Sequence, residues 1–188
     1  MPDYTIEDYR RQYDEVREDA AKLLEGLGPE QFNWRPEPHR WSIGDCINHL
    51  NIVGHAYIPL LEKAIAEGRA AGRTASSPFR HGWLGNLFVG TMEPPVRMKV
   101  RAPRMMQVLT AQHDLDAEEK EFMRQQDEFC RLVGEADGLD LGKIRITSVV
   151  TRLLRLSLGQ WFWFVVAHER RHLWQAWNVR NNDAFPSA

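Results

Sequence analysis

Residues 157–178, SLGQWFWFVVAHERRHLWQAWN, read as one buried helix with two histidines on its inward face. Leu158, Trp161, Val165, His168, His172, Gln175 and Val179 follow at steps of three and four, the spacing of one helix face. Ser157 with Gln160 forms a capping-box pattern that opens the helix. Two imidazoles in an apolar seam are costly unless each polar nitrogen finds a partner. A helix of this kind demands other helices to bury it, and a metal would satisfy both rings.

The chain has 188 residues, the size of a single domain spanning 1–188 with a substantial core. Its 43% hydrophobic and 27% charged residues match an ordinary globular protein. The formal net charge of -2 gives no reason to expect a nucleic-acid partner, although Arg97, Arg101 and Arg104, and Arg152 with Arg155, cluster locally. The start, MPDYTIEDYRR, lacks the apolar core of a secretory signal, and the longest apolar run, 161–167, is too short to span a membrane. With only Cys46 and Cys130, no disulfide framework is indicated and a reducing cytoplasm is expected. Seven tryptophans are read as core residues between long helices, some of them as walls of a pocket.

Tyr9, Tyr13, Val16, Ala20, Leu23 and Leu27 predict a first amphipathic helix, opened by Thr5 and Asp8 and closed near Gly26 to Pro29. Residues 29–40 hold three prolines and no period, and are read as a loop. Trp41-Ser42-Ile43-Gly44-Asp45 predicts a second helix start, with Ser42 as cap and Trp41 packing back as a staple. In that helix His49 lies among apolar residues on the core side, whereas His55 points elsewhere. Pro59 is expected to bend it, and it fades near Gly68 to Gly72. Residues 74–103 look irregular, with Met98 to Ala102 extended, and are read as a long crossover before a third helix over 114–136. Lys143 to Leu156, rich in Val and Leu, is read as a short helix.

His168-Glu169-Arg170-Arg171-His172 matches the H-E-x-x-H pattern of zinc proteases. Those enzymes take a third ligand downstream, where this chain offers only Asp183 as an acid and no His. Glu169 and His172 also match one half of a di-iron unit, but no second copy exists. His49 is the remaining inward histidine, and packed helices about 8–10 Å apart let imidazoles from both meet at one ion. Three neutral imidazoles and an open position suit catalytic zinc, and nickel, iron and manganese accept the same donors. Alternatively, each histidine is a core residue bonded to a carbonyl or carboxylate.

The motifs Trp41-Ser42-Ile43-Gly44-Asp45-Cys46-Ile47-Asn48-His49-Leu50 and Ala167-His168-Glu169-Arg170-Arg171-His172-Leu173-Trp174-Gln175 resemble the DinB/YfiT-like superfamily. The Glu93-Pro94-Pro95 to Pro103 segment and the Ser157-Leu158-Gly159 helix start are similar too. The resemblance implies an all-α, up-down-down-up four-helix bundle with a long crossover between helices 2 and 3. It also implies a divalent metal on His49, His168 and His172. Some members of that family transfer low-molecular-weight thiols to small molecules, and others are described as metal-dependent hydrolases.

The expected function is therefore a metal-dependent enzyme that activates a thiol or water for transfer to, or hydrolysis of, a small molecule, with thiol S-transfer favoured. Glu169 is the candidate general base, against a solvated acid beside Arg170 and Arg171. Cys46 is weighed as a fourth ligand against a small core residue, and Gln175 as a group orienting a ligand. Asn48 and Asn51 are read as helix-surface residues. The alternative is a non-catalytic stress-related bundle with a structural or vacant metal site. A homodimer is compatible with either.

Overall fold

A computed structural model describes residues 4–95, 106, 108, 110 and 112–187. The first helix, α1 (Ile6–Leu24), begins where the sequence places it. The Asp8 backbone N–H donates to Thr5 Oγ1 at 3.1 Å, and the Thr5 N–H donates to Asp8 Oδ2 at 3.0 Å. A cap of this kind is worth about 1 kcal/mol because it satisfies N–H groups that the helix cannot. Tyr9, Tyr13, Val16, Ala20 and Leu23 are buried as the period requires. The chain then turns through Gly26, whose φ of 71° is open to glycine without the strain a side chain would bring.

The predicted loop that follows contains a short helix, α2 (Pro29–Asn33). Pro29 occupies its first turn, where a missing N–H costs nothing, and Gln31 Oε1 accepts from the Gly28 N–H at 2.9 Å. Phe32 buries completely and holds this turn against α3.

α3 (Ile43–Ala70), α5 (Leu115–Glu135) and α6 (Leu158–Arg180) are the remaining long helices. Ser42 with Asp45 and Ser157 with Gln160 form the expected capping boxes, and Asp114 caps α5. Pro59 lies within α3 without ending it. In the described part of the long connection, residues 74–95, an eight-residue helix, α4 (Trp83–Gly90), packs on α6. The expected extended run Met98 to Ala102 falls outside the described residues.

The sequence expectation for the segment before α6 is wrong. Residues 143–156 are not a helix: β1 (Arg145–Thr147) and β2 (Arg155–Ser157) form an antiparallel ribbon. Ile146 faces Leu156 across it and both are buried, while Arg145, Thr147 and Arg155 on the other face are exposed. The period is two, but three residues are too few to distinguish it from a helical one. The ribbon hooks onto the start of α6. The Leu158 N–H donates to the Ile144 carbonyl at 2.8 Å, and Trp161 Nε1 donates to the Ile146 carbonyl at 3.1 Å.

The protein is thus predominantly helical, with this ribbon the only sheet among the described residues. α3 packs against α5 and α6, and α1 packs against the same two helices. Tyr13 stacks on Phe129 with ring centroids 5.2 Å apart, and its hydroxyl donates to the Phe162 carbonyl at 3.1 Å. Gly54 leaves room for the carboxamide of Gln125 where α3 meets α5, and a methyl there would force that carboxamide to move. No described helix is long and apolar enough to cross a membrane.

Candidate metal centre

His49 stands in the second turn of α3, directed at α6, where His168 and His172 present one face. One nitrogen from each ring lies within 4.8 Å of the other two. The ring centroids form a nearly equal triangle: 5.2 Å from His49 to His168, 4.6 Å from His49 to His172, and 4.6 Å between the α6 pair.

Protonation follows from the surroundings. His49 Nδ1 is 2.7 Å from the Met106 carbonyl, which only accepts, so Nδ1 carries the hydrogen and Nε2 keeps a lone pair. Burial lowers the His49 pKa against the opposing pull of that carbonyl. Burial, then the charges of His49 and Arg171, bring His168 down to about 3. His172 is held well below its ordinary value by burial and by His168, His49 and Arg171, with Gln175 opposing. All three rings are neutral at pH 7, the form that ligates a metal.

Nδ1 of His168 and Nδ1 of His172 are buried and have no hydrogen-bond partner. An unsatisfied buried nitrogen costs about 1–3 kcal/mol. The donor set therefore fits a divalent ion: three neutral imidazoles, two of them with sealed nitrogens, and the third oriented by a backbone carbonyl in the manner usual for metal-bound histidine.

Aromatic rings wall the cluster. Trp41 stacks on His172 at 5.4 Å and 24°, and tilts against His49 at 5.1 Å. The indole packs back on α3 at His49 as expected, and also reaches α6. Phe164 stacks on His168 at 5.7 Å, and Phe88 of α4 stacks on Phe164 at 5.9 Å. His168 is partly buried overall, but its Nδ1 is sealed from solvent.

Other candidates fall elsewhere. Glu169 is not a solvated acid: it is 4% exposed, and Gln126 Nε2 of α5 donates to its Oε1 at 2.9 Å. Burial raises its pKa to about 8, against the lowering effect of Gln126 and Arg170. Arg170 instead reaches Glu93, with contacts of 2.9 and 2.6 Å, while Glu93 Oε1 also accepts from Trp163 Nε1 at 3.0 Å. Cys46 is wholly buried in the core, which pushes its thiol pKa up, and it is not among the ligand atoms that converge. Asn51 is buried rather than superficial, and both Asn48 and Asn51 donate to Glu118 of α5 at 2.7 Å. His55 is exposed beside Glu121, as expected.

A second buried histidine system escaped the sequence reading. His113 Nε2 meets Asp45 Oδ1 at 3.0 Å, and Arg35 donates to both oxygens of Asp45 at 2.9 and 2.8 Å. Asp45, one turn before His49, therefore caps α3 and ties two connecting segments to it. His113 lies in a run without period, so nothing local marks it. The Met106 carbonyl is equally invisible, since any residue supplies one.

Comparison with curated proteins and with solved structures gives no match. The family described as the DinB superfamily matches over residues 12–176, a span that includes all three histidines. The chain belongs to the DinB superfamily.

Proposed function

We propose that the protein is a divalent-metal-dependent enzyme acting on a small molecule, with His49, His168 and His172 as its metal ligands. The convergence of three neutral imidazoles, two with sealed and unpartnered Nδ1 atoms, carries this reading. The four long helices are read as an up-down-down-up bundle that sets α3 beside α6 for this purpose. Zinc is the preferred ion, because three imidazoles with a free position match its catalytic coordination. When bound, such an ion lowers the pKa of a thiol or a water and holds it as a nucleophile.

A low-molecular-weight thiol is the favoured nucleophile, since soft thiolate sulfur suits zinc and the two cysteines are free, as in a reducing cytoplasm. The chain's part is to orient the rings and to exclude water. Met106 fixes the His49 tautomer, Gln175 is read as a group orienting a ligand, and Trp41 with Phe164 shields two imidazole faces. Glu169, the acid an H-E-x-x-H pattern would make a base, is held by Gln126 and in this reading fixes α6 against α5.

The test is elemental analysis of protein purified without added metal, beside His168→Ala. One equivalent of metal in the parent and almost none in the variant is the expected result. Parent protein that lacks metal and takes up neither zinc nor nickel would sink the site. The stacked walls favour a second reading, a closed structural centre. Cobalt-substituted protein separates the two: a spectrum that shifts as small thiols are added marks an open position, and one unmoved by thiols and anions marks a closed one.

A further inference from the structure

Residues 141–168 contain no Asp or Glu, although acids outnumber Lys and Arg in the chain as a whole. Lys143, Arg145, Arg152 and Arg155 all fall in this stretch. Arg145 and Arg155 share the outer face of the ribbon, on diagonal positions across its two strands. Diagonal neighbours of this kind sit about 7–8 Å apart, close enough for two guanidinium groups to hold one anion between them.

Their side chains make no ion pair or hydrogen bond among the described residues. Elsewhere Arg11, Arg17, Arg35, Arg124, Arg131 and Arg170 all pair with carboxylates. Two adjacent cations repel each other, and among the described residues neither has a carboxylate at ion-pair distance, although Glu67 lines the groove on the far side of the ribbon.

Both arginines line a groove of about 310 Å³ between the ribbon and the first turn of α4. Its opposite wall is Trp83 and Leu84, which are 62% and 64% exposed, and its floor includes Gln160. On the other side of the ribbon a second groove of about 260 Å³ uses the same two arginines with Arg73 and Lys143. The ridge is therefore bounded by an exposed indole at one end and, at the other, by Arg73, by Lys143 paired with Asp140, and by Glu67. The first groove has the volume of a small-ligand site, and its walls call for two chemical features, a flat apolar ring and an anionic group.

We propose that the α4–ribbon groove binds a small aromatic anion, its ring against Trp83 and its phosphate or carboxylate between Arg145 and Arg155. This site is separate from the histidine cluster and does not rest on the metal reading.

Calorimetric titration of the whole protein at low salt with adenosine 5′-monophosphate, 1-naphthoate and uncharged adenosine tests it. Saturable binding of either anion supports the proposal, and which one binds identifies phosphate or carboxylate as the preferred group. Adenosine should bind at least about tenfold more weakly than the monophosphate, the ordinary scale for losing charge-assisted bonds. Arg145→Ala with Arg155→Ala should weaken the bound anion by about tenfold or more, Trp83→Ala by several-fold, and both should keep the parent melting temperature because the residues are exposed. Failure of both anions to saturate at millimolar concentration, or affinity unchanged in the double arginine variant, would overturn it. So would loss of binding on His49→Ala or chelation, which would place the anion at the histidine cluster.

Discussion

Trp41, the residue before the cap of α3, lies stacked on His172 of α6 at 5.4 Å and an interplanar angle of 24°. One indole thus shields a ring that the proposed ion requires. It also touches His49, so it bears on both helices that supply ligands. Trp41→Ala should leave the three imidazoles in place but open the site to water and chelators. Zinc transfer to a coloured chelator should become about tenfold faster or more, the scale expected when the groups around metal ligands are removed. An unchanged transfer rate would assign Trp41 to packing alone.

The histidine cluster predicts a defined response to acid. In the unfolded chain these rings take up protons below about pH 6.5, whereas in the fold His168 resists until about 3. Between those values the unfolded state binds more protons, so the stability of metal-free protein must fall as pH falls. The slope is up to about 1.4 kcal/mol per pH unit for each such histidine, and above pH 6.5 this contribution vanishes. Urea unfolding of chelator-treated protein from pH 7 to pH 4 should show the decline, and His168→Ala should make it shallower. Equal slopes in the two proteins would contradict the assignment.

Glu169 acts in the opposite sense. Its pKa is raised to about 8 in the fold, so from about pH 4.5 upward the folded state holds a proton that the unfolded state has lost. Stability therefore declines as pH rises from 4.5 to 8 and levels off above that. Glu169→Gln keeps the hydrogen-bonding shape beside Gln126 and removes the charge. Metal-free variant should melt higher than its parent at pH 8, by several degrees, with a difference that shrinks toward pH 5. A variant less stable than the parent at pH 8 would show that the carboxylate is ionised and paired.

Gly54 of α3 faces the carboxamide of Gln125 on α5. Gly54→Ala would improve helix propensity on an open surface, but here the methyl meets Gln125, whose Nε2 donates to the Asn51 carbonyl at 3.1 Å. Displacing that carboxamide leaves buried polar atoms unpaired, so the substitution should destabilise by about 1–3 kcal/mol in denaturant titration. A neutral or stabilising result would mean that α3 and α5 separate at low cost.

The helices that carry the histidines were legible because their signals are local. Thr5 with Asp8, Ser42 with Asp45 and Ser157 with Gln160 mark starts within four residues, and the stripes behind them run for several turns. The ribbon was illegible because Ile146 and Leu156 are its only buried strand residues before the α6 cap. α4 was missed because Gly82 gives it no side-chain cap, and its apolar residues Trp83, Leu84 and Leu87 face outward instead of marking a core stripe. At the site, the three imidazoles could be found by helical spacing. The Met106 carbonyl, the reach of Trp41 to α6 and the His113–Asp45 contact arise only when segments distant in sequence come together. The burial of Glu169 has the same origin, since its partner Gln126 is on another helix.

Residues 49 and 168 lie on helices separated in the chain by α4, α5 and the ribbon, and everything that joins those helices must be made before they meet. During synthesis α3 emerges long before α6, so for most of that time His49 has no counterpart. The cluster is therefore a product of late, long-range docking, the slow kind of contact in folding. An ion that binds only the assembled triangle would favour the docked chain by mass action and would be lost as soon as the two helices part. Its presence on the protein would certify that the last helix has reached its place.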